Sequence, residues 1–304
     1  MRRAVMLLWP VAISLAARAD EARDALDRKV QAIVAEPGDA VQAGIWFGAP
    51  AAPIYELAAT RTMPAASVVK TAILIELYAA HAGHLDDPLG AAADAVLADD
   101  KHPAMAPFSA AGRGEIRAAF QAATARGLGA ILMGSKKASN AVYNGAANLA
   151  IALLGGPADA SAKIHARDAA FAGVMVRRYM LASRTVHGDN EATPASLAAV
   201  LAAVATGKVA GVDADTTAAM AQSMMQATDP ALGVHRHKEG NLDNDPMTCV
   251  KTGFYVRGAG RPPLVYVVGT ALPAKPSGHR ADAARRLDRM TEDILAVLRA
   301  AGGR

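Results

Sequence analysis

The sequence predicts an α/β (α+β) fold of two lobes: an antiparallel sheet built from both chain ends and flanked by helices, with an all-α lobe inserted between them. Three observations carry this. Strand-like apolar runs occur near the two ends, at residues 41–47 and 54–57 and again at 247–250 and 264–270. The long stretch between them is alanine-rich and patterned as helix. Amphipathic helices bracket the whole, at residues 21–36 and 280–300. The expected division is a leader over 1–19, a sheet lobe over 20–60 plus 227–304, and a helical lobe over 61–226, together one structural domain.

The elements follow in order. Residues 21–36 repeat apolar positions at helical spacing (Ala22, Leu26, Val30, Ile33) and stop at Pro37-Gly38. Two short strands come next, joined by a turn over 48–53. From Ser67 to Tyr78 the pattern is helical. Loops are expected at 84–90, 99–107 and 112–114, and one or two helices over 128–154, closed by Gly155-Gly156-Pro157. Thr193-Pro194 opens another helix, with Thr193 as N-cap and Pro194 in the first helical position. Strands resume after Gly240, and the last helix buries Ala284, Leu287, Met290, Ile294 and Leu298.

Composition narrows the function. With 304 residues and 52% apolar side chains the chain is long enough for a real core and too apolar to be disordered. Aromatics are only 4%, and alanine takes up the difference. One cysteine excludes an internal disulfide and a cysteine-cluster zinc site. Cys249 has no histidine pattern around it and reads as a buried strand cysteine. Arg2 and Arg3, an apolar run over 4–17 and the pattern Ala17-Arg18-Ala19 read as a secretory leader cleaved after Ala19, which predicts a secreted or periplasmic protein with no stable membrane span after cleavage. Loss of Arg2, Arg3 and Arg18 would bring the net charge of +4 close to zero, so no nucleic-acid partner is expected.

Standard signatures are absent: no G-x-S-x-G, no H-E-x-x-H, no P-loop and no G-x-G-x-x-G. Neither a metal nor a cofactor is expected. The close histidine pairs, His81/His84 and His235/His237, lack carboxylates at ligand spacing and read as solvated surface. What stands out is Ser67-Val68-Val69-Lys70. On a helix, i and i+3 share a face, which brings an amine beside a hydroxyl that needs a base. The alternative is a capping serine and a surface lysine. Lys251-Thr252-Gly253, at a strand end, offers a cation, a hydroxyl and room for a substrate backbone; the alternative is an ordinary exit from a strand.

In this order, on helix and strand, the two elements resemble the class A serine β-lactamases and the wider penicillin-binding-protein superfamily. Met63-Pro64-Ala65-Ala66-Ser67 resembles the approach to that family's catalytic helix. Asn144-Gly145-Ala146-Ala147-Asn148-Leu149, running on to Gly155-Gly156-Pro157, is similar without gaps to the class A segment that ends its S-D-N motif. The resemblance implies a β-lactamase-like fold and an acyl-enzyme on Ser67, with Lys70 as general base. It implies that Asn144 bonds the substrate's acylamide group, that Lys251 and Thr252 hold its carboxylate with Gly253 leaving room for the substrate backbone, and that the backbone N–H groups of Ser67 and Phe254 form the oxyanion hole. The substrate would be a small β-lactam or a cell-wall-peptide-like molecule.

Two positions depart from the family. The S-D-N serine is replaced by Val142, and Ser139, three residues earlier, is the candidate replacement relay. The loop glutamate that activates the deacylating water falls at Arg177 or Arg178, and an arginine cannot serve as a base. Deacylation is therefore expected to be slow. The alternatives are a D-Ala-D-Ala peptidase-like penicillin-binding protein and a relative that binds β-lactams or peptidoglycan without turnover.

Overall fold

The structure is a computed structural model that describes residues 8–36, 39–243, 246–258, 260–273, 275–276 and 278–303, with side chains from residue 20 onward. Helix α1 (Leu8–Val34) leads into the hairpin β1 (Gln42–Ala49) and β2 (Ala52–Leu57). The short strand β3 (Met63–Pro64) and a 3₁₀ turn (Ala66–Val69) precede α2 (Lys70–Ala80). Then come α3 (Ala91–Ala98), α4 (Ala110–Phe120), α5 (Ala125–Met133), α6 (Asn140–Leu153), α7 (Pro157–Arg167) and α8 (Arg184–His187). After β4 (Glu191–Ala192), α9 (Pro194–Ala205) and α10 (Ala214–Ser223), the chain returns to the sheet as β5 (Met225–Asp229), β6 (Gly233–Leu242), β7 (Met247–Val256) and β8 (Leu264–Leu272), and ends in α11 (Arg280–Gly302).

The main sheet has the order β2-β1-β8-β7-β6-β5, and the pairs are antiparallel. N-terminal β1 pairs directly with C-terminal β8, so the sheet is built from both chain ends, as the strand order in the sequence predicts. β7 and β8 lie in the middle and are buried almost throughout. Alternation sends Val250, Phe254, Val265 and Val267 into a core shared with the helices, and Tyr255, Tyr266 and Val268 into a second core under α1 and α11. Burial on both faces explains why these two strands read as continuous apolar runs in the sequence.

The expected leader falls partly on residues 1–7, which lie outside the described residues, and Leu8–Ala19 form the first part of the α1 backbone. Pro37-Gly38 also lies outside the described residues, and α1 ends at Val34. Among the described residues no helix is long and apolar enough to cross a membrane. Thr193 caps α9 by accepting from Ser196 N, with Pro194 in the first turn. One expected loop is absent: Gly112 and Gly114 lie inside α4, because Ser109 caps that helix and Ile116 and Phe120 anchor its apolar face in the core. The larger difference is the hairpin β5–β6, which sequence patterning does not show. Its inner strand reads GVHRHKEGNL, too polar to signal a strand.

Candidate active site

Ser67 sits in the 3₁₀ turn ahead of α2, partly exposed at the floor of a cleft of about 980 Å³. The residue before it, Ala66, holds φ +46°. That left-handed conformation costs a non-glycine residue about 1 kcal/mol, and such strain collects where a backbone must aim a functional group. Ala65 N donates to Asn190 O at 2.8 Å, and β3 pairs with β4 through Met63–Ala192 and Pro64–Glu191, so one continuous segment, residues 190–192, pins the approach to Ser67. Ser67 has no capping role: Ala65 is the N-cap and no side chain caps the turn.

Lys70 is fully buried. Ala65, Ala66, Val68, Val69, Ile73 and Leu74 are buried with it, as its neighbours in sequence suggest. Its Nζ donates to Asn144 Oδ1 at 3.1 Å, and Asn144 Nδ2 donates in turn to Asn140 O and Oδ1. Burial, reinforced by the charge of Lys238, lowers the Lys70 pKa well below the ordinary lysine value. A buried, hydrogen-bonded amine of lowered pKa beside a serine is the arrangement that general-base activation requires. Lys70 and Asn144 are thus brought together, and Ser67, whose backbone O accepts from Lys70 N, lines the same cleft as Asn144.

Lys251, Thr252, Gly253 and Phe254 are not. Lys251 lies on the α11 side of β7, where its Nζ is 2.9 Å from Asp288 Oδ1 and 2.5 Å from Glu292 Oε1. Burial opposes its charge, but hydrogen bonds to those carboxylates overcome burial and raise its pKa. The Thr252 hydroxyl donates to Lys238 O at 3.0 Å, against the backbone of the neighbouring strand. A side chain at Gly253 would run into Arg236 O and the Tyr266 ring. Phe254 is in the core, between β6 and β8 and paired to both, so the ladder uses its backbone. The physical reason is topological: β6 stands between β7 and Ser67.

The strand that lines the cleft is β6. Its pairing with β5 runs through Gly233–His237 and leaves the outer edge of Lys238–Leu242 facing the 3₁₀ turn. A Cβ on Gly240 would lie 2.5 Å from Ser67 N, so glycine lets this edge pass directly against the nucleophile's backbone. Lys238, two residues earlier and on the same face, is 3% exposed and points at the Lys70 side. Lys238-Glu239-Gly240 therefore occupies the place for which the sequence offered Lys251-Thr252-Gly253. The available signal was a second K-x-G triplet one strand earlier, masked by the polarity of its surroundings.

The two departures also have locations. Ser139 is exposed at the N-cap of α6, where its Oγ accepts from Val142 N and donates to Glu115 Oε2 at 2.5 Å. It does not line the cleft, and this capping duty replaces the relay role expected for it. Val142 is 8% exposed and packs in the core. Arg177 bonds Glu191, and buried Arg178 bonds Asp189, which Arg184 also meets at 2.7 Å. Asn190 Oδ1 accepts from the backbone N of both Arg177 and Arg178. The two arginines hold the loop that forms the cleft's outer wall, and its Asp189 is committed to ion pairs. Among the described residues no group of three His, Cys, Asp or Glu side chains is placed to hold a metal ion.

No family model and no curated protein matches the chain. Solved structures do. The β-lactamase from Sphaerobacter thermophilus aligns at TM-score 0.62 with 20% identity, over 90% of this chain and 94% of its own. A class A β-lactamase from Bacteroides cellulosilyticus gives TM-score 0.66 at 14% identity, over 92% and 99%. The fold is β-lactamase-like. A β-lactamase from Streptosporangium roseum, at TM-score 0.64 and 17% identity, covers 94% of this chain and all of its own. The β-lactamase-like fold thus accounts for nearly the whole chain, including the sheet built from both termini.

Proposed function

We propose that the protein is an exported serine hydrolase that forms an acyl-enzyme on Ser67 with β-lactams or related small amides and esters, and deacylates slowly. The observation that carries this reading is the fully buried Lys70 amine, bonded to Asn144 and three residues from a partly exposed serine in a large cleft. Ser67 Oγ attacks the substrate carbonyl while Lys70 Nζ accepts its proton. The oxyanion is met by Ser67 N and by an N–H of the β6 edge beside Gly240. Lys238 supplies the positive charge that the K-x-G element contributes. Slow deacylation is inferred from the resemblance: its loop glutamate falls at Arg177 or Arg178 in this sequence, an arginine cannot serve as a base, and a general base is typically worth 10²–10⁴-fold. A penicillin-binding protein that remains acylated is the limiting form of the same reading.

The test is incubation with a fluorescent penicillin and a chromogenic cephalosporin. Stable labelling, lost in Ser67→Ala and accompanied by little colour change, is the expected result. Rapid colour change would overturn slow deacylation, and labelling that survives Ser67→Ala would overturn the nucleophile.

A further inference from the structure

The ring of Tyr143, which lines the cleft, faces two buried amines. Lys70 Nζ lies 3.3 Å from its centroid, and Lys238 Nζ lies 5.1 Å from the same ring. Two ammonium groups brought this close repel, and burial penalises the charge on Lys70. The groups that meet Lys70 are Tyr143 and Asn144 on α6, and Lys238 on β6. Its side chain donates a hydrogen bond to the Asn144 amide oxygen, not to a carboxylate. Burial and Lys238 oppose the ammonium form; the Asn144 carbonyl oxygen and the electron-rich face of Tyr143 favour it.

We propose that Tyr143 is the positioning residue for Lys70: its ring holds Nζ against Asn144 and stabilises the ammonium that forms when Lys70 takes a proton. The proposal rests on Ser67 and Lys70 being the acylating pair. In that step the Ser67 Oγ–carbon bond forms, the carbonyl electron pair moves to oxygen, and the Oγ proton passes to Nζ, which becomes a cation directly over the ring. The hydroxyl of Tyr143 is not required for this; the π face is.

The test reads Lys70 directly. The full-length protein is prepared with ¹³Cε-labelled lysine, and the Lys70 resonance is assigned by its loss in Lys70→Met. Tyr143→Phe keeps the π face and should leave the Lys70 titration unchanged. Tyr143→Leu keeps bulk without the face and should lower the titration midpoint by about one unit. Tyr143→Trp presents a stronger face and should raise it, which keeps the test open if the leucine variant does not fold. A leucine variant that titrates with the wild type, a phenylalanine variant that moves as far as leucine, or a tryptophan variant that does not rise would overturn the proposal. These titrations need no substrate, so failure of penicillin to label Ser67 is seen separately.

Discussion

At the residue scale, the position that sets the site most tightly is Gly240. The β6 backbone can lie against Ser67 N only because no Cβ stands between them. A methyl group there would meet backbone atoms rather than a flexible side-chain end, and the edge strand would have to withdraw. Gly240→Ala is therefore expected to cut acylation of Ser67 by more than 100-fold while the melting temperature changes by only a few degrees, because the site lies on an edge. Labelling rate and thermal unfolding, measured together, check this; unchanged labelling would mean that β6 does not form the wall of the oxyanion hole. At this scale Ser67, Lys70 and Asn144 were legible in the sequence, since each sits in a helical motif of fixed spacing. Tyr143 was not, because the partner of an aromatic face is set by tertiary contact.

At the element scale, the lesson concerns two adjacent strands. β7 carries the conspicuous Lys251-Thr252-Gly253 but is an inner strand, and its Lys251 faces Asp288 and Glu292 of α11. β6 carries Lys238-Glu239-Gly240 on an edge that faces the nucleophile. The two lysines should therefore separate cleanly. Lys238→Met is expected to reduce labelling of Ser67 by at least about 100-fold. Lys251→Met should leave labelling within about threefold and lower stability by about 1–3 kcal/mol, because two carboxylates lose their shared cation. Labelling kinetics and urea unfolding decide between them; the reverse pattern would restore Lys251 to the site. The sequence could not rank these strands. Apolar alternation marks strands that are buried, and β6 over 238–242 is partly solvated because the cleft must be.

At the scale of the whole molecule, the outer face of the sheet holds a polar cluster that the sequence read as surface. His235 is 8% exposed, stacks on His237 and Tyr255, and its Nε2 lies 2.8 Å from Tyr266 Oη. Burial, with His237 and Arg299 adding to it and Asp229 opposing, lowers its pKa to about 4. The unfolded chain takes up this proton near pH 6.5 and the folded protein near pH 4, so His235 lowers stability as the pH falls through that window. His235→Phe is expected to gain about 2 kcal/mol on the wild type between pH 7 and pH 4, read by denaturant unfolding at both values. A difference independent of pH would show that the imidazole is not buried in its neutral form.

By itself the sequence determined the helices that bracket the chain, the sheet assembled from both termini and the Ser67-x-x-Lys70 spacing, because periodicity, caps and motif spacing are local and survive without neighbours. Only the tertiary structure decided which K-x-G faces the nucleophile, that Arg177 and Arg178 lock the loop, and that Tyr143 lies over the buried amines. Those facts depend on strand order and on which face of an element meets which partner. Residues 67 and 240 are separated by most of the chain, and only the folded sheet edge places one against the backbone of the other.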